Sequence, residues 1–271
     1  MPRSGASPIS FPAFRGATRL LVFANLAAFF GLLVLSLLSA PTASALAGAL
    51  SFQPDLFLHG WLWQPLTYSL IHGSITGTLL ELISLWFMAG FLEQMHSESW
   101  VMGLYAAAVL GTAAAALAIY AVSGTLGFGA PEVSLSGCFG GIFGMLVAIG
   151  VLHGEMEFLL FFTIGIKARH LAIIYGLVSI AMLFGAQRAY AFSELGGALA
   201  GVLFIRTAPK RGVGFVASES VYGLRNRYYR WKRRRAAKKF EVYMRSQGRT
   251  VRFDGQGRQL DEDADDKKRW N

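Results

Sequence analysis

SLSGCFGGIFGMLVA, residues 134–148, sets a serine ahead of a glycine-rich run that opens into an apolar helix. Gly140, Gly141 and Gly144 leave one side of that helix without side chains, which lets a second helix backbone come close. A matching set, Gly196, Gly197 and Gly201, lies in a later apolar stretch. These six glycines are predicted to be helix-packing positions. The same run raises a question of chemistry, because Ser136 stands where a nucleophile could sit.

Composition fixes the surroundings of that packing. The chain has 271 residues, 54% hydrophobic and only 15% charged, with 31 Gly and 21 Phe gathered into long apolar runs. Such runs exclude an ordinary water-soluble domain and predict an integral, multi-pass membrane protein. Six stretches are long enough, or nearly so, to cross about 30 Å of hydrocarbon. They lie near Thr18 to Ala40, Ile75 to Glu93, Trp100 to Val122, Ser136 to Leu152, Arg169 to Ala186 and Tyr190 to Ile205. The first reads as a signal anchor, since it lacks a short apolar core followed by a small-residue cleavage site. Cys138 is the single cysteine, so no intramolecular disulfide can form. No cofactor and no metal are expected.

Charge orients the bundle. Of 25 Lys and Arg, 19 follow Ile205, and Arg3, Arg15 and Arg19 precede the first run, which predicts that both ends are cytoplasmic, in a plasma or inner membrane. The domain plan is a cytoplasmic segment 1–17, a six-helix membrane domain 18–206 and a basic tail 207–271. Within the tail, an amphipathic helix is expected near 222–246, where Tyr, Trp and Phe stand among dense Arg and Lys. A basic aromatic helix beside a membrane suits anionic lipid headgroups as partner, in preference to nucleic acid. The final DEDADDKKRW should be disordered.

Three motifs resemble one family. GCFGGIFGMLVA, Gly137 to Ala148, resembles the GASGGIFGLLGA run of the rhomboid intramembrane serine proteases. HGSITGTLLELISLWFMAGFLE, His72 to Glu93, is similar to the family's second helix, and SELGGALAGVLF, Ser193 to Phe204, to its sixth. The resemblance covers about residues 18–206 and implies an all-α, six-transmembrane-helix rhomboid-like bundle.

The register that matches Gly137, Gly140, Phe143 and Gly144 together places Phe139, not Ser136, at the family's nucleophile. Phe offers no nucleophilic atom. The family's helix-six base corresponds to Glu194, and its two oxyanion donors to Gly77 and Glu81. Gly77 has no side-chain donor, and an ionised Glu81 would repel a developing negative charge. No catalytic residue is therefore expected. Ser136 reads as a helix N-cap, Cys138 as packing, His72 as a structural hydrogen-bonding residue, and Trp61 and Trp63 as interfacial anchors. Glu81, Phe139 and Glu194 are expected to line the cavity of the bundle.

By resemblance to the family's non-catalytic members, the chain would be a pseudoprotease whose partners are transmembrane segments of client proteins. Two other readings stay open. One is a divergent intramembrane serine endopeptidase using Ser136 with Glu194. The other is a membrane protein that binds a proton or cation with Glu81 and Glu194, because intramembrane carboxylates face a water-filled cavity or a partner.

Overall fold

The computed structural model describes residues 12–125, 133–160, 164–185, 187–207 and ten positions between 228 and 247. The chain divides into Met1–Val213 and Gly214–Asn271. The first unit is mostly helical: α1 Gly16–Leu38, α2 Ala40–Leu50, α3 Pro54–Leu58, α4 Gln64–Thr67, α5 Ile75–Met95, α6 Glu98–Thr125, α7 Phe139–Leu152, α8 Ala168–Met182 and α9 Arg188–Thr207. Helices α1, α5, α6 and α9 are long and apolar enough to span a bilayer. With these four spans the chain is an all-α integral membrane protein in its principal elements.

Two of the six predicted runs come out shorter than expected. Helix α7 has 14 residues and α8 has 15, so each rises only about 21–23 Å. The shortfall in α7 has a physical reason. Non-helical backbone is tolerated at membrane depth where protein covers it, and α7 is buried along most of its length, including Phe143, Met145, Ala148 and Ile149. The chain can therefore reach the helix through an extended segment.

Helix α6 is the centre of the bundle, with Val101, Leu104, Ala108 and Ala116 fully buried. Small residues let α7 and α9 close on it. A methyl added to Gly144 would strike Ala108 of α6, and one on Gly197 would strike Thr112. A Cβ on Gly196 would stand 2.9 Å from the Gly111 carbonyl oxygen, and one on Gly201 2.8 Å from that of Gly144. Gly140 lies against Thr112 and Gly141 against the Tyr105 ring. Van der Waals packing at such a seam substitutes for the hydrophobic drive that lipid cannot supply. The outer faces are apolar and open, as at Phe23 and Val34 of α1, Leu79 and Ile83 of α5, and Leu177 of α8.

The segment between α1 and α5, outside the six predicted runs, is folded. Helices α2, α3 and α4 each carry proline in their first turn, where a missing amide hydrogen costs nothing. Buried Gln64 ties the segment together: its Oε1 accepts the Gln53 amide at 3.1 Å, and its Nε2 donates to the Ala49 carbonyl at 3.4 Å. Trp63 is half exposed, and its indole donates to Ala49 as well.

A short antiparallel hairpin, β1 Glu157–Leu160 with β2 Ile164–Lys167, precedes α8 and was not foreseen. Beside it, Glu155 receives Lys167 Nζ at 2.7 Å and the Arg169 guanidinium.

In the second unit the described residues make contacts at helical spacing. The Tyr228 and Trp231 rings stack with centroids 6.2 Å apart, and Arg235 lies over Trp231 at 5.1 Å. Most of 222–246, all of DEDADDKKRW and residues 1–11 lie outside the described residues.

Candidate functional site

The approach to α7 is built by hydrogen bonds to the folded segment before α5. Phe52 and Leu135 exchange backbone bonds at 3.0 and 2.9 Å, and the Gly137 amide donates to the Tyr68 carbonyl at 3.1 Å. The Tyr68 hydroxyl in turn donates to the Val109 carbonyl of α6 at 2.9 Å. Gly137 has φ +90°, a left-handed conformation that L side chains rarely adopt, and an added Cβ would meet Glu81 Oε2 at 2.9 Å. This turn aims the Cys138 amide away from α7 and toward α5.

Glu81 answers it. Its Oε2 accepts the Cys138 amide at 2.8 Å and lies 3.4 Å from Cys138 Sγ. His72, in the loop before α5, brings Nε2 to 3.4 Å from the same oxygen. The imidazole is almost wholly buried, whereas the Glu81 side chain keeps about a quarter of its surface open. Sequence reasoning singled out Glu81 but treated His72 and Cys138 separately. A loop, a helix and a turn 57 residues further on meet only in the tertiary fold.

Ser136 does not cap α7. Cys138 occupies the N-cap position, without a side-chain cap bond, and Ser136 stands exposed in the extended segment before it. The left-handed turn at Gly137 separates the serine from the helix and accounts for the correction. The cap of α5 is Ser74, whose Oγ accepts the Gly77 amide at 3.1 Å. Phe139 opens α7 half-buried, with its ring 6.4 Å from Phe143 and 6.2 Å from Tyr175 of α8. Glu194 is 5% exposed on α9, beside the side chains of Tyr190 and Ser179.

The polar centre thus holds a carboxylate, an imidazole and a thiol in contact, at one end of a packed helical bundle. Residues 23–211 match the family described as "Eukaryotic integral membrane protein (DUF1751)". The chain belongs to this family. No curated protein matches it. The family match covers α5, α7 and α9 and so takes in His72, Glu81, Cys138 and Glu194, while most of the tail falls beyond it.

Proposed function

We propose that the chain is a rhomboid-like, six-span pseudoprotease that holds transmembrane segments of client proteins, with both termini cytoplasmic. The observation that carries this reading is the bond from the Cys138 amide to Glu81 Oε2 at 2.8 Å. Acyl transfer needs free donors where an oxyanion develops, and here a carboxylate already takes the amide at the start of α7. Phe139, the residue that the resemblance aligns with the rhomboid nucleophile, packs on Phe143 and Tyr175 and presents no reactive atom.

Client binding draws support from an apolar cleft of about 450 Å³ lined from α1 and α5, with Val22, Leu26, Leu79, Leu82, Ile83 and Trp86 on its walls. A groove without polar groups accepts an apolar helix by packing alone. The tail is proposed to lie on anionic headgroups, Trp231 and Arg235 pairing aromatic surface with cation as such a helix does.

The purified protein in lipid should neither cleave a single-span substrate nor be labelled by a serine-reactive fluorophosphonate. Covalent labelling at Ser136 would replace this reading with the divergent endopeptidase. A photo-reactive residue at Leu79 should crosslink to an apolar single-span helix reconstituted in the same vesicles. Crosslinks to lipid alone would remove the client-binding half.

A further inference from the structure

His72 Nδ1 lies 3.1 Å from the Leu70 carbonyl oxygen. A carbonyl offers only lone pairs, so Nδ1 carries the ring proton and a neutral imidazole is left with a lone pair on Nε2. That nitrogen is buried, its side chain 1% exposed, and it has no hydrogen-bond partner. It faces Glu81 Oε2 at 3.4 Å. With the ring neutral, two acceptors face each other in a buried site, and either a second proton on the imidazole or a metal ion must stand between them. The third neighbour is Cys138 Sγ, fully buried and 3.4 Å from the same oxygen.

We propose that His72 Nε2, a Glu81 carboxylate oxygen and Cys138 Sγ bind one divalent transition-metal ion, with Zn²⁺ the best match. The three ligand atoms lie within 4.8 Å of one another. Tetrahedral zinc with bonds of about 2.0–2.3 Å separates its ligands by roughly 3.3–3.6 Å, and both contacts to Glu81 fall in that range. Imidazole and thiolate disfavour Mg²⁺ and Ca²⁺, which prefer oxygen ligands alone.

Binding breaks the Cys138 S–H bond and forms a sulfur–metal bond, and the proton leaves to water on the open side of Glu81. The thiolate and the carboxylate then balance the two positive charges, so the occupied cluster is neutral, as burial requires. The outer hydrogen bonds are already in place. Leu70 fixes the His72 tautomer, and the Cys138 amide fixes the Glu81 carboxylate. Three protein ligands leave a fourth position for water. The site stands independently of the pseudoprotease reading, since neither proteolysis nor client binding enters its geometry.

Cobalt(II) is the probe. Cys138 is the single cysteine of the chain, so a thiolate-to-cobalt charge-transfer band can come from nowhere else. The tag-free, full-length protein in detergent, titrated with Co²⁺, should develop that near-ultraviolet band together with the intense visible bands of four-coordinate cobalt, and Zn²⁺ should abolish both one for one. Cys138→Ala should remove the charge-transfer band, while His72→Gln and Glu81→Gln should each weaken binding by about 100-fold or more, at least the loss seen for outer-shell changes. Helicity by circular dichroism checks that each variant folds. Should a variant fail to fold, the parent spectrum decides the question alone. Cobalt uptake without the charge-transfer band, a band that persists in the His72→Gln, Glu81→Gln double variant, or no uptake by the folded parent overturns the site.

Discussion

Helix α5 carries two carboxylates, Glu81 and Glu93, twelve residues and so about 18 Å apart along its axis. Each sits under the start of another helix, and each has a left-handed glycine beside it. Glu93 accepts the Ala17 and Thr18 amides of α1 at 3.1 Å each and the Thr18 hydroxyl at 2.5 Å. Gly16, with φ +50°, admits it, for a side chain there would collide with the Glu93 and Glu98 carboxylates. Glu81 receives one amide, from Cys138, and Gly137 admits it in the same way. The difference lies in the remaining neighbours. Glu93 is surrounded by donors that a helix N-terminus leaves free, so it is a completed cap. Glu81 faces His72 Nε2 and the Cys138 thiol, the two atoms proposed above to share a metal ion with it.

The contrast predicts unequal costs of removal. Glu93→Ala strips three donors of a charged acceptor in a buried place and should destabilise the bundle by about 3 kcal/mol. In metal-free protein Glu81→Ala loses the Cys138 amide bond and the weak thiol bond but also relieves the opposition to His72, so about 1 kcal/mol is expected. Unfolding of both variants in one detergent, with chelator present, measures the two. A Glu81 cost equal to or above that of Glu93 would break the comparison and mark Glu81 as a cap as well.

A finer test uses the two glycines. Gly137→Ala and Gly16→Ala should each cost about 1–2 kcal/mol for the left-handed backbone, before any clash is counted. Only Gly137→Ala displaces the Glu81 carboxylate, so it alone should also weaken the cobalt spectrum. Equal spectra from the two variants would show that the carboxylate position does not govern the ion.

Much of the bundle was legible in the sequence because a membrane helix writes itself as one long apolar run. The ranges for α1, α5, α6 and α9 differ from the predicted stretches by at most three residues at either end. Helix α7 fell short where burial in protein, not lipid thickness, sets the length, whereas α8 ends at Met182 with most of its surface open. The central role of α6 went unread, although Ala108, Gly111 and Ala115 stand at the same small-residue spacings that drew attention to α7 and α9. Pro41, Pro54 and Pro65 were likewise available as signals of helix starts in the segment before α5. The site is a different case. Glu81 stood out because a charge within an apolar run is costly, but the partners at 72 and 138 obey no helical or turn spacing. Only the turn at Gly137 brings Cys138 to α5.

A third carboxylate sharpens the scale at its weak end. Glu155 lies outside the spanning helices, fully exposed, with Lys167 and Arg169 upon it. The hydrogen bond from Lys167, aided by the charge of Arg169, holds its carboxyl below the ordinary value of 4.5. A group whose folded value is depressed lends stability above its unfolded value and loses it as pH falls through the folded one. Glu155→Gln should therefore match the parent in acid and fall slightly below it toward neutrality, when melting is followed from about pH 3 to 7. Water and salt screen an exposed pair, so the gap should be the smallest of the series and close in about 1 M salt, where the screening length is about 3 Å. A gap that does not change with pH would mean that Glu155 acts through the hairpin's packing and not through its charge. A gap as large as that of Glu93→Ala would undo the ranking of the three carboxylates by donors and burial.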